Sequence, residues 1–434
     1  MFDARPLYDD RTSLARPAAP ADQGSIRRSN LGLVLRHLRD AGPRSRARIA
    51  QETRLNKATV SSLVAELVQR GLVSDGEVNR AGSVGRPGLM VELDGHGVCG
   101  IGVELNVDYT AVLVLDLRGG VLFERRVGLD VPGVGPDRTL DEVARLVGEA
   151  IDAAVARGAR PAGLSVAVPG LVQRGVGVVT LAPNLGWHDV PLVDALRARL
   201  GDVELPIRVE NDANLSAIAE WAMGSEAGSA DLVYLTGEVG VGGGVIVAGQ
   251  LLRGHSGLGG EVGHMSLGGT DHLCGCGRRG CWETVVGLSA LLRAAADSDD
   301  PVRDPAGDLE TRLAEVLRRA DAGDGRTVAA LRQIGRHLGI GAAVLVNVFN
   351  PQVLVLGGYF AVVGRHLMEP LAAELEARVF GPGVAGVRVV PSTLGFTAAG
   401  RGGAYVALDP VFDDPTTVLV ASPAAPAALG GGAR

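Results

Sequence analysis

Cys274, Cys276 and Cys281 fall within the run Cys-Gly-Cys-Gly-Arg-Arg-Gly-Cys at 274–281, and His264 lies ten residues before the first of them. Three thiols and an imidazole at this spacing make a Cys₃His donor set, and the intervening glycines let the backbone fold around one ion. Zinc takes such a set as a closed tetrahedral shell, so a structural Zn²⁺ is expected on His264, Cys274, Cys276 and Cys281. The other reading, a chance cluster of small buried thiols, fits the spacing less well. Glu261 and Glu283 flank the set. A closed shell leaves the metal no open position for catalysis, so the ion is expected to shape a loop whose carboxylates hold a ligand.

The elements that position this loop must come from a large chain. With 434 residues, two or three domains are expected, and 46% hydrophobic residues are ample for their cores although aromatics supply only 3%. No apolar run is long enough to cross a bilayer, and Met1–Asp10 has no signal-peptide apolar stretch. A metallated thiol cluster suits a reducing compartment, so a cytoplasmic location away from membranes is expected. Cys99 has no evident partner. Charge is unevenly spread: residues 24–90 hold 12 Arg/Lys against 5 Asp/Glu, a net of +7, while the whole chain is −7, leaving −14 elsewhere. A basic module on an acidic body suggests that one part meets a polyanion.

Residues 24–93 read as a winged helix-turn-helix domain. Leu31, Val34, Leu35 and Leu38 share one face of a first helix over 29–39, stopped by Ala41-Gly42-Pro43. Ser45 is placed to cap a second helix over 46–53, and Asn56 a third over 57–70 with Val60, Leu63, Val64 and Leu67 inward. Short polar and basic side chains at the start of such helices can reach bases and phosphates in a major groove. Ser45, Arg46, Lys57, Thr59, Ser61 and Ser62 are therefore candidate DNA contacts, joined by Arg80 and Arg86 in the wing between Ser74 and Gly88. A helical module that serves only assembly is the alternative. Residues 1–23 read as a flexible arm and 413–434, rich in Ala, Pro and Gly, as a disordered tail. The linker at 94–97 is short.

The body, 97–409, alternates strands and helices. Hairpin strands are expected over 98–105 and 111–117, a third strand over 121–127, a helix over 140–157 and a buried strand over 163–168. A second half opens with strands at 232–235 and 244–247 and ends with a long helix over 327–348 and a strand over 353–356. Two halves that each open on adjacent short strands suggest a two-lobed α/β body with a ligand cleft between the lobes.

Glu261-Val262-Gly263-His264, the cysteine run through Trp282-Glu283, and Glu210-Asn211-Asp212-Ala213-Asn214 together resemble the ROK family of repressors, open reading frames and sugar kinases, over residues 24 to about 408. Pro183-Asn184-Leu185-Gly186-Trp187 and Leu356-Gly357-Gly358 add support. The resemblance implies an actin-like, hexokinase-type body with a zinc loop at 264–283, and a sugar site formed by Asn184, Asn211, Asp212, Glu261, His264 and Glu283. Carboxylates and carboxamides suit such a ligand, because adjacent hydroxyls each donate and accept. Trp187 and Trp282 are candidates either for stacking on a sugar face or for the core.

In the family's kinases the residue matching Asp212 is the general base. Their Asp-x-Gly-Gly-Thr loop corresponds here to Glu104-Leu105-Asn106-Val107-Asp108, and their Gly-Thr-Gly-x-Gly-Gly-Gly loop to Glu238-Val239-Gly240-Val241-Gly242-Gly243-Gly244. Carboxylates stand where phosphate would be cradled, so nucleotide binding is expected to be weak and Asp212 vestigial. The resemblance, closest to the xylose-repressor branch, thus implies a non-enzymatic, sugar-responsive repressor. Such a protein would bind a pseudo-palindromic double-stranded operator as a homodimer or homotetramer, with a monosaccharide effector. An active sugar kinase with a DNA-binding module is the alternative.

Overall fold

The computed structural model describes residues 22–78, 89–255, 257–267, 271–304, 307–381 and 386–419. Helix α1 (Gln23–Ala41) begins at Asp22, whose carboxylate accepts from the Ser25 amide, and buries Leu31, Val34, Leu35 and Leu38. After strand β1 (Arg44–Ser45), the Ser45 hydroxyl caps α2 (Arg46–Thr53) and the Asn56 amide oxygen caps α3 (Lys57–Gln69). The capping residues stand where the sequence places them. Strands β2 (Val73–Val78) and β3 (Leu89–Leu93) join β1 in an antiparallel sheet of order β1-β3-β2, and β3 is the returning strand that a winged helix-turn-helix calls for. The arm expected over 1–23 lies outside the described residues except for Asp22 and Gln23, which cap and begin α1.

The first lobe opens with β4 (Val98–Leu105), β5 (Tyr109–Asp116) and β6 (Val121–Gly128), followed by α4 (Val131–Ala156) and β7 (Arg160–Val168). Helix α4 starts well before the expected 140: Gly135, at φ 75°, kinks the chain, and Pro136 then fits the first turn of the straight segment. Strands β8 (Leu171–Gln173), β9 (Val178–Ala182) and β10 (Trp187–Val190) form a small antiparallel sheet. Helix α5 (Leu192–Leu200), β11 (Ile207–Asn211) and α6 (Asp212–Met223) complete the lobe, whose main sheet runs β11-β7-β4-β5-β6.

The second lobe repeats the plan. Strands β12 (Leu232–Gly237), β13 (Val241–Val247) and β14 (Gln250–Leu251) lead through the cysteine loop to α7 (Glu283–Val286), α8 (Leu288–Ala295), α9 (Leu309–Asp321) and α10 (Gly325–Phe349). Then come β15 (Val353–Gly358), α11 (Tyr359–Val362), α12 (Gly364–Arg378) and β16 (Arg388–Pro391), giving the order β14-β13-β12-β15-β16. In each lobe the leading strand pairs antiparallel with the next one and parallel with a later one. The two-lobed expectation holds at the level of architecture.

Helices α13 (Ala398–Ala407) and α14 (Asp409–Asp413) return the chain to the N-terminal module. Leu408, Val411, Phe412 and Val418 are buried in one cluster with Leu31, Leu35, Leu63 and Leu67. The tail expected to be disordered from Asp413 therefore starts too early. Arg70 donates to the carbonyls of Thr416 and Val418, and Arg36 to that of Phe412, so residues through Val418 are tied to the module. The Ala-Pro-Gly composition that suggested disorder is concentrated beyond Leu419, outside the described residues. Phe412→Ala should cost the module about 3–5 kcal/mol by cavity formation. An earlier urea transition for the module than for the body is expected, and unchanged unfolding would contradict this packing.

Candidate functional site

The strand-like pairing of Ser266 with Cys281 and of Leu273 with Arg279 folds the cysteine loop back on itself. Cys274 N–H donates to the Arg278 carbonyl, and Gly277 takes the left-handed conformation (φ 81°) that the turn requires. One donor atom from each of His264, Cys274, Cys276 and Cys281 then lies within 4.8 Å of the others. His264 Nδ1 is 3.6 Å from the Cys274 sulfur, and the Cys276 and Cys281 sulfurs are 3.7 Å apart. The group can hold a metal ion, and its soft donors suit a closed, four-coordinate structural shell.

Beside it lies a cavity of about 550 Å³ between the lobes. Asn184, Asn211, Asp212, Glu261, His264 and Glu283 all line it, so the structure brings together every residue expected at the sugar site. Each arrives from a different local device. Asn211 ends β11 and caps α6 by accepting from the Asn214 amide, while its own amide group donates to the Gly170 carbonyl. Asp212 is the first residue of α6, where amide donors favour a carboxylate. Glu261 precedes the 3₁₀ turn Val262–His264, and its carboxylate is 3.9 Å from His264 Nε2, the ring nitrogen opposite the thiols.

Glu283 joins the thiol cluster to the cleft. One carboxylate oxygen accepts from the Cys274 thiol at 3.2 Å and the other from the Val241 amide at 3.0 Å. Val241 opens β13 directly after the turn from β12, and a Cβ on Gly240 in that turn would lie 2.7 Å from Glu283. The start of β13 is thus pinned by a carboxylate.

Asn106, Thr236 and Glu238 also line the cavity, although the sequence did not mark them as site residues. The Asn106 amide donates to the Glu238 carboxylate, linking the β4–β5 turn of one lobe to the β12–β13 turn of the other. The available signal was that these residues occupy corresponding turns of the two repeated hairpins. Burial pushes the Asp212 carboxyl up to about 6. Burial also pushes Glu261 up to about 7, reinforced by the charges of Asp212 and Glu283. Glu238 is raised by burial and by the nearby charges of Glu104 and Asp212. Carboxyls crowded in this way both donate and accept hydrogen bonds near neutrality, which matches a polyhydroxylated neutral ligand.

Trp187 and Trp282 do not reach this cavity. Both are buried; the Trp282 indole N–H donates to the His337 carbonyl, and its ring packs so closely on α10 that only glycine fits at 341. They are core residues, and stacking on a ligand is ruled out for this arrangement.

In the N-terminal module the candidate DNA contacts separate into two groups. Lys57 is exposed at the start of α3, Thr59 is half-buried on the same turn, and the exposed Ser61 returns its hydroxyl to the Lys57 carbonyl. Ser45 is occupied as the α2 cap, Arg46 pairs with Asp75 at 2.9 Å, and Ser62 accepts from Arg27. Arg80 and Arg86 lie outside the described residues.

Residues 100–409 match the ROK family, and residues 32–81 match the MarR family. The chain is 31% identical to the xylose repressor of Caldicellulosiruptor bescii, over 82% of this chain and 89% of that protein. Among solved structures, a ROK-family transcriptional regulator homologous to the Escherichia coli MLC protein shares 25% identity with a TM-score of 0.71, covering 89% of this chain and 97% of its own. A ROK glucokinase from Streptomyces griseus, solved with glucose and AMPPNP, shares 28% identity with a TM-score of 0.61 but covers only 72% of this chain, against 99% of its own. The family match spans most of the sequence and coincides with the two-lobed body, so this chain belongs to the ROK family, with a helix-turn-helix module ahead of the family body.

Proposed function

We propose that the chain is a sugar-responsive transcriptional repressor whose operator affinity is set by a monosaccharide in the interlobe cavity. The observation that carries this reading is the convergence of six polar side chains on one cavity, in a body packed directly against a helix-turn-helix module. Likeness to a xylose repressor over 82% of this chain and to a transcriptional regulator over 89%, where the glucokinase covers 72%, supports it. The cytoplasm is the corresponding location.

In this reading Asn184, Asn211, Asp212, Glu261, His264 and Glu283 hold the sugar hydroxyls. His264, Cys274, Cys276 and Cys281 would hold a structural zinc ion, which fixes the loop carrying Glu283 and orients His264 toward the ligand. The module meets an operator through Lys57, Thr59 and Ser61, with Ser45, Arg46 and Ser62 shaping the helices that present them; Arg80 and Arg86 are assigned to the wing. A homodimer or homotetramer would place paired recognition helices on a pseudo-palindromic site. A sugar that favours the lobe arrangement unsuited to DNA lowers operator affinity by its differential binding energy.

A second reading, sugar kinase, is favoured by Asp212 at the head of α6 and by the glucokinase likeness. Against it stand the carboxylate of Glu238 beside Asn106 and the Val241 amide already taken by Glu283. These groups oppose phosphates with like charge and leave fewer donors for them.

Operator-binding assays on the chain's own upstream DNA, with a panel of hexoses and pentoses, test the proposal directly: one sugar should shift the affinity, and indifference to all would count against it. Glu261→Ala is expected to weaken sugar binding by about 1.5–3 kcal/mol, the cost of losing a charged hydrogen bond, while leaving DNA binding intact. Calorimetry showing wild-type sugar affinity would remove Glu261 from the site. Cys276→Ser should lose zinc, by elemental analysis, and sugar response together; absence of zinc from the intact protein would refute the metal assignment. Incubation with MgATP and the effector should give no sugar phosphate, and turnover abolished by Asp212→Asn would establish the kinase reading.

A further inference from the structure

The turn between α2 and α3 holds Arg54 at φ 61° and ψ 21°, in the left-handed region. That region is disfavoured for any residue with a Cβ, and helix C-terminal positions there are ordinarily glycine or asparagine. An arginine at this position is therefore not explained by backbone preference. Packing does not explain it either. The residue is exposed, and among the described residues its guanidinium has no carboxylate or carbonyl partner.

Its neighbours differ. Every other described arginine of the module, from Arg27 on α1 to Arg70 at the end of α3, faces a carboxylate within the chain. Most of the positive balance read from the sequence is thus spent on holding the module together. Among the described residues Arg54 and Lys57 have no carboxylate partner, and they flank Asn56, the cap of the helix whose start enters the groove in helix-turn-helix proteins. The positive dipole end of α3 lies beside them and favours an anion there.

We propose that Arg54 is a DNA-backbone contact, a positioning residue that, with Lys57, seats the start of α3 against phosphates at the groove edge. The proposal rests on the DNA-binding reading above and adds a residue that sequence patterning did not mark. Its class of ligand is the phosphodiester backbone rather than a particular base.

Salt titration of binding to a fluorescein-labelled duplex of arbitrary sequence, about 30 base pairs long, isolates backbone contacts, because such binding is electrostatic. Arg54→Gly should reduce the magnitude of the slope of log K against log salt by about 0.9 and weaken binding several-fold at about 0.1 M salt. Its thermal midpoint should stay level or rise, since glycine suits the backbone there. Arg54→Lys should keep the wild-type slope. Wild-type slope and affinity in Arg54→Gly would overturn the assignment, and so would lost binding accompanied by a lowered midpoint, which would mark Arg54 as a folding residue. If the wild-type protein shows no salt-dependent binding to the duplex, the DNA-binding reading fails as a whole, and this inference with it.

Discussion

Helix α6 is gripped by backbone on both sides, and the rest of the molecule is arranged around that contact. A Cβ on Gly402 of α13 would lie 1.9 Å from the Leu215 carbonyl of α6, and one on Gly244 of β13 would lie 2.5 Å from Ala217. A Cβ on Gly102 of β4 would likewise fall 1.9 Å from the Gly400 carbonyl. Only glycine allows these approaches, and close-packed surfaces of this kind shift as units rather than deform. The N-terminus of α6 carries Asp212 in the cleft, while α13 runs on into α14 and the Phe412 cluster of the DNA module. A change in lobe arrangement at the cleft thus has a continuous, stiff route to α1.

Electrostatics decides what the cleft accepts. Asp212, Glu238 and Glu261 are held away from water, and no positive side chain neutralises them directly among the described residues that hydrogen-bond to them. Hydroxyls relieve such crowding by accepting and donating; phosphates aggravate it. The thiol cluster matters here through Glu283, whose two oxygens bind Cys274 and the Val241 amide and so set the glycine turn from the thiol side.

What could be read from the sequence was local. The Cys₃His spacing, the caps Ser45 and Asn56, the buried stripe of α3 and the two hairpin-led halves all rest on contacts within a few residues or on simple periodicity. The family resemblance supplied the six cleft residues, which the structure gathers in one cavity. What escaped depends on surfaces meeting late. The Asn106–Glu238 bond spans 132 positions and exists only once the lobes dock. The burial of Val418 and Phe412 needs the module in place. The pairing of Arg46, a candidate DNA contact, with Asp75 of β2 likewise forms only once strand and helix meet. Trp187 and Trp282, open from sequence to either stacking or the core, are core residues because Trp187 packs into the first-lobe cluster with Leu140 and Leu185 and Trp282 lies against α10.

Coupling between the cleft and the module is reciprocal by thermodynamic necessity. The most direct measurement is therefore the sugar affinity of the protein alone and of the protein saturated with operator DNA, by calorimetric titration under one buffer condition. The two dissociation constants should differ by the same factor by which the sugar changes operator affinity. Equal sugar affinities in the free and DNA-bound states would show that nothing passes along α6 and α13, and would contradict a sugar-controlled repressor.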